Sequence, residues 1–137
     1  MEKKVKLSKS TAGKKSRAAG KRFEAQVRKD LETQGYIVVK WTNQVDLIKN
    51  TIVPAKSKFN PFLGRVMSAG SGFPDFLAYK RFQSGNYEII GVESKLGKYL
   101  DAEEKKKAKW LIDHNVFNNI YVAFKKERGQ IRYEVFS

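Results

Sequence analysis

The sequence contains no cysteine and a single histidine. The first absence excludes structural disulfides and every zinc site built on thiolates, and the second excludes sites that need paired imidazoles. Any metal bound by this chain is therefore held by carboxylates and other oxygen ligands. No apolar run approaches the ~18 to 20 residues of a membrane span, and the lysine-rich start is not followed by the apolar stretch of a secretory signal. Three prolines and ten glycines are too few and too scattered to mark a second domain boundary, and no internal repeat is visible. These absences point to a soluble intracellular protein with no membrane partner.

Acidic residues are scarce too. Against 28 Lys and Arg there are 14 Asp and Glu, leaving a net charge of +14 on 137 residues. Such a density attracts polyanions through Coulomb attraction and counterion release, so nucleic acid is the expected partner. Hydrophobic residues make up 41% of the chain, enough for one compact core. The excess charge is concentrated at the start: residues 1–22 carry nine Lys or Arg against Glu2. With few bulky apolar side chains, residues 1–18 are expected to be a disordered basic arm that tethers phosphates, and residues 19–137 a single domain. Lys14, Lys15, Arg17, Lys21 and Arg22 are its candidate phosphate contacts.

Phe23, Val27 and Leu31 recur every four residues and Gly35 stands at a C-cap position, which predicts a helix from Lys21 to Gln34. Tyr36 to Trp41 is β-branched and aromatic and reads as a strand, its near-continuous apolarity suggesting a central one. Residues 42–70 have no clean period and fit either a short hairpin or a mobile loop. Phe76 to Phe82 and Tyr87 to Lys95 flank the turn-forming Gln83-Ser84-Gly85-Asn86 as a hairpin. Asp101 and Glu104 form a capping pair for a helix running to about His114, itself a C-terminal cap or surface residue. Strands follow at Ile120–Phe124 and Ile131–Phe136. The order α-β-(loop)-β-β-α-β-β places the chain in the α/β or α+β class with one central sheet.

If the hairpin closes symmetrically about Ser84, Tyr79 pairs with Ile89, Leu77 with Gly91 and Asp75 with Glu93. Like charges directly opposite are destabilising, so an Asp–Glu pair in an apolar hairpin calls for a counter-charge such as a divalent cation. Strand alternation puts Lys95 on the same face as Glu93. Gly91, Gly70 and Gly72 remove bulk near Pro74-Asp75, which allows close approach by a backbone or a ligand and suggests a site open to a large substrate. Glu24 lies on the flank of the first helix's apolar stripe, so its carboxylate is aimed toward the core edge. Taken singly, each feature has a plainer reading: turn chemistry for Asp75, a solvated ion pair for Glu93 and Lys95, a helical pair with Lys21 or Arg28 for Glu24.

Together, Glu24, Pro74-Asp75 and Glu93-Ser94-Lys95 resemble the motif of the PD-(D/E)xK nuclease superfamily. The surrounding Gly72-Phe73-Pro74-Asp75-Phe76 and Val92-Glu93-Ser94-Lys95 are most similar to archaeal-type Holliday junction resolvases and to the virus-type replication and repair (VRR-NUC) nucleases. Tyr99 to Glu104 and the helix after it also resemble the VRR-NUC pattern, which often has Gln where Glu104 stands. The resemblance implies a restriction-endonuclease-like αβββαβ core and a catalytic set of Glu24, Asp75, Glu93 and Lys95. It further implies Mg²⁺ or Mn²⁺ held by Asp75, Glu93 and the Ser94 carbonyl, with Glu24 completing the shell. Lys95 would orient the attacking water, and Lys98 and Lys105 would contact phosphate. The implied activity is hydrolysis of DNA phosphodiesters, most simply in branched DNA, by a homodimer. Phe59, Phe62, Leu63 and Phe117 are candidate interface residues that are equally candidates for the core. The competing readings are a non-catalytic nucleic-acid-binding protein and a nicking, restriction or repair nuclease of the same fold.

Overall fold

The computed structural model describes residues 9–55, 57–60, 65–69 and 72–137, with side chains over 13–55 and 72–137. The spacing of Phe23, Val27 and Leu31 produces helix α1 (Lys9–Thr33), whose three apolar side chains are all buried. The helix stops in a Schellman motif: Gly35, at φ +96°, donates to Glu32 O, and Tyr36 N donates to Leu31 O. Only the left-handed backbone of Gly35 lets these last carbonyls be satisfied.

The helix begins well before Lys21. Residues 9–18, expected within a disordered arm, are helical. The docked segment from Phe23 to Leu31 already meets the cost of nucleation, and Ala, Lys and Arg then extend the helix one bond per residue. Residues 1–8 of the expected arm lie outside the described residues.

The main sheet has five strands in the order β1-β6-β7-β8-β9. These are β1 (Ile37–Lys40), β6 (Phe76–Arg81), β7 (Tyr87–Lys95), β8 (Asn119–Lys125) and β9 (Ile131–Val135). Only β7 and β8 are parallel, joined by the crossover helix α2 (Ala102–Asp113); the other pairs are antiparallel. The fold is α+β with a mixed sheet between two helices. The hairpin register agrees with the sequence reading, Tyr79 facing Ile89 and Leu77 facing Gly91.

Strand β1 corrects one expectation. It is an edge strand, with Ile37 54% and Val39 48% exposed; the central strand is β7. An apolar run reports affinity for a sheet, and cover on both of its faces has to come from other elements. Residues 42–70 supply two hairpins in place of a bare loop: β2 (Asn43–Asp46) with β3 (Thr51–Pro54), and β4 (Ser57–Asn60) with β5 (Arg65–Ala69).

Each face of the main sheet has its own core. On one, Phe23, Val27 and Leu31 of α1 cover Val38, Phe76, Ala78, Ile90 and Val92. On the other, Ala108 and Leu111 of α2 pack with Phe117, Ile120 and Val122, joined by Val45 from β2 and by Phe73. Phe117, a candidate interface residue, belongs to this second core, edge-on to Trp41; Phe59, Phe62 and Leu63 fall outside the described side chains. Helix α2 starts with a complete capping box between Asp101 and Glu104 and ends at His114, whose ring stacks on Trp110.

Candidate functional site

The site lies where β7 ends. Period-two alternation sends Ile90, Val92 and Ser94 toward α1, and Gly91, Glu93 and Lys95 toward α2. Asp75 precedes β6 by one residue and Phe76 pairs with Val92, so Asp75 meets Glu93 and Ser94. Its backbone N–H donates to Glu93 Oε1 at 3.1 Å, and its Oδ2 accepts from Ser94 N at 2.8 Å and Ser94 Oγ at 2.7 Å. The Asp75–Glu93 juxtaposition follows directly from the symmetric hairpin.

Two glycines hold this corner together, and they serve the protein's own packing. A Cβ on Gly91 would lie 2.7 Å from Pro74 Cγ and 3.3 Å from Phe117. One on Gly72 would strike the backbone of Trp41 and Asn43. Of the two expected alternatives, a backbone or a ligand, it is neighbouring chain that fills the space at both glycines. Gly70 lies outside the described residues. Main-chain bonds reinforce the corner, from Trp41 N to Asp75 O and from Phe73 N to Asn43 O.

Glu93 is 7% exposed and is the buried charged residue among the described side chains. Burial first, and Asp75 second, push its carboxyl up to about 10, against the opposing pull of Lys95. Lys95 Nζ lies 3.6 Å from Glu93 Oε2 and within 2.8 Å of both Glu104 oxygens. Burial alone would lower the Lys95 ammonium's pKa, but Glu104 and Glu93 outweigh it and the net shift is upward. Lys95 therefore stays charged.

Glu24 comes from the opposite side, on α1. Burial, then the field of Asp75, raises its carboxyl above the ordinary range, while Lys40 and Lys21 pull it back. Glu24 thus senses Asp75 across the end of the sheet. Among the described residues no three Asp, Glu or His side chains come together at metal-ligand spacing. An ion here would take Asp75 and Glu93, with the rest of its shell from main-chain oxygen, water and substrate, a common arrangement for Mg²⁺. The donor set fits such an ion: two hard carboxylates, forced together at a buried position, lack one local positive charge.

Lys40 and Glu104 were not assigned to the site from sequence. Lys40 follows Val38 by two on β1, so it shares the face that α1 covers and reaches the field of Glu24. Glu104 was visible as half of a capping box, but its bond to Lys95 needed the tertiary arrangement. The expected phosphate contacts Lys14, Lys15, Arg17, Lys21 and Arg22 are all exposed on α1, and Lys98 and Lys105 are exposed on the α2 side. Lys105 Nζ sits 5.6 Å over the Tyr99 ring. Cations therefore flank the acidic corner on both sides.

Among the described residues no helix is long and apolar enough to cross a membrane. No protein-family model matches the chain, and no curated protein matches it at a significant level.

Proposed function

We propose that the chain is a metal-dependent endonuclease of the PD-(D/E)xK type that hydrolyses phosphodiesters in branched DNA, acting as a Holliday junction resolvase-like homodimer. The observation that carries this reading is the corner made by Asp75, Glu93 and Lys95. A basic protein that merely binds phosphate gains nothing from a buried pair of acids that repels its ligand. The element order also supports it: α1, β1, β6, β7, α2 and β8 follow the αβββαβ sequence of the restriction-endonuclease-like core, with the two small hairpins inserted after β1.

In this reading Asp75 and Glu93, helped by the Ser94 carbonyl, would hold Mg²⁺ or Mn²⁺, which would supply Lewis-acid chemistry to a phosphoryl oxygen and to water. Ser94 fixes the Asp75 carboxylate through its hydroxyl and its backbone N–H. Lys95, kept charged by Glu104, offsets the negative charge that develops on phosphorus oxygens and orients the attacking water. Glu24 adds negative potential on the α1 side and helps to order water there. Cations on both flanks position the DNA backbone.

The test is cleavage of end-labelled four-way junction, flap, nicked and linear duplex DNA with Mg²⁺, Mn²⁺ or EDTA, comparing wild type with Asp75→Ala. Paired symmetric cuts in the junction, dependent on metal and lost in Asp75→Ala while binding persists, are the expected result. Preference for another substrate would reassign the role to nicking, restriction or repair. No metal-dependent cutting of any substrate would leave the non-catalytic binding protein.

A further inference from the structure

Gly20 stands in the interior of α1, where glycine is less stable than alanine, and no packing requires it. A Cβ built there meets nothing within 4 Å, unlike those at Gly72 and Gly91. The open space is a cleft of about 330 Å³ between α1 and the end of β7. Ser16, Ala19, Gly20 and Glu24 line one side, Ser94 and Leu96 the other, and Phe23 closes the floor. It borders the catalytic corner, because Ser94 bonds Asp75 and Glu24 feels its field. At 100° per residue, Lys14, Arg17 and Lys21 fall within about 60° of one another on α1, beside Glu24. These three form a cationic column along the rim.

We infer that this cleft is a subsite for one unpaired nucleotide of the DNA, next to the phosphate that is cut. The inference rests on the nuclease reading for the word "cut" and on the cleft alone for the nucleotide. In a duplex a protein meets phosphates, sugars and the base edges in the grooves; a whole base enters a protein cleft only when it leaves the stack. The cationic column would hold the phosphates on either side of such a nucleotide. The cleft is of a size with one nucleotide. Its chemistry suits a base: the Phe23 floor and the Leu96 side chain offer apolar contact, while Ser16 and Glu24 offer polar partners for a base edge. Leu96 is 44% exposed immediately after Lys95, a position from which an apolar side chain can wedge between base steps. Flaps and gaps supply unpaired nucleotides at no cost, and a four-way junction, though fully paired, has to open only the pair at its branch point, so the cleft would select such DNA over continuous duplex.

The test is Gly20→Leu in the full chain, whose Cβ meets nothing within 4 Å and whose further carbons obstruct the cleft, with Gly20→Ala as the control that keeps most of the space. Thermal unfolding first verifies that both variants fold. Binding is then read by fluorescence with 2-aminopurine at an unpaired position of an otherwise paired DNA, against a fully paired DNA of equal length, with EDTA present to prevent cutting. Wild type and Gly20→Ala are expected to favour the unpaired DNA by about tenfold, the worth of one stacked base. Gly20→Leu is expected to bind both DNAs alike. Preserved discrimination in Gly20→Leu, or none in wild type, overturns the inference. Cleavage by wild type in Mg²⁺, measured separately, decides the nuclease reading: loss of discrimination in Gly20→Leu without any cleavage would keep the subsite and discard the enzyme.

Discussion

Lys95 Nζ is bonded to both carboxylate oxygens of Glu104, at 2.8 and 2.7 Å, and stands farther, at 3.6 Å, from Glu93. Glu104 also accepts from Asp101 N and donates its own N–H to Asp101 Oδ1. One side chain thus caps a helix and aims an ammonium.

The two duties separate by substitution. Glu104→Gln keeps the capping box, since Gln serves at the same position, but removes the charge that holds Lys95. Stability is expected to change little and turnover to fall about tenfold, with KM nearly unchanged, because in the proposed reaction Lys95 would act on charge that develops in the transition state. Glu104→Ala should lower both turnover and stability, the latter by about 1 kcal/mol for the broken cap. Urea unfolding together with single-turnover cleavage distinguishes the two variants.

Ser94→Ala removes the hydroxyl bond to Asp75 while the backbone bond remains. Outer partners that orient a metal ligand are typically worth about tenfold or more in affinity. Mn²⁺ binding followed by calorimetry is expected to weaken about tenfold, with the melting temperature of the metal-free protein nearly constant.

Gly91→Ala introduces a methyl 2.7 Å from Pro74 Cγ. Overpacking of this kind costs about 1 to 3 kcal/mol. Urea unfolding should show that loss, and cleavage should fall with it, because Pro74 carries Asp75.

Neutralising the cationic column tests its share of DNA binding. Each phosphate contact contributes about 0.9 to the slope of log K against log salt on duplex and about 0.7 on single strands. Replacing Lys14, Arg17 and Lys21 by Gln is expected to reduce that slope by about 2 to 3 in a salt titration, and an unchanged slope would remove α1 from the DNA contact.

Tyr133 Oη donates to Asp30 at 2.6 Å. Burial first, then this bond, raises the phenol's pKa well above its ordinary value. The sign follows from linkage: the stabilisation is complete below the unfolded tyrosine value of about 10 and is lost as pH climbs toward the higher folded value. Wild type should lose stability above about pH 10 more steeply than Tyr133→Phe, as measured by urea unfolding at stepped pH. Some slope should remain in the variant, since Tyr36 and Tyr121 are also raised.

The parts of the site that could be read from sequence are those fixed by local rules. Hairpin symmetry about Ser84 gives the Asp75–Glu93 meeting, and a capping pattern gives the start of α2. Features that depend on distant cover were hidden: β1 looks central because its composition does not reveal that no strand among the described residues pairs with its outer side. The role of Lys40 depends on α1 covering that particular face. Gly72 and Gly91 announce close approach but not by what, and chain packing, not substrate, proved to fill both. The helical character of residues 9–18 is not visible locally, because their mutual charge repulsion is overcome only by the docked helix that these residues prolong.

Trp41 and Phe73 bracket the inserted hairpins, and both are tied by main-chain bonds, Trp41 N to Asp75 O and Phe73 N to Asn43 O. Those bonds act as a clasp at the neck of the insertion. The β2–β3 hairpin belongs to the fold, because Val45 is part of the second core; what lies beyond β3 can be lengthened or exchanged with the acidic corner left in place, since closing a longer loop costs only about 0.6 kcal/mol per doubling of its length. The same scaffold can in this way carry different attachments beside an unchanged corner.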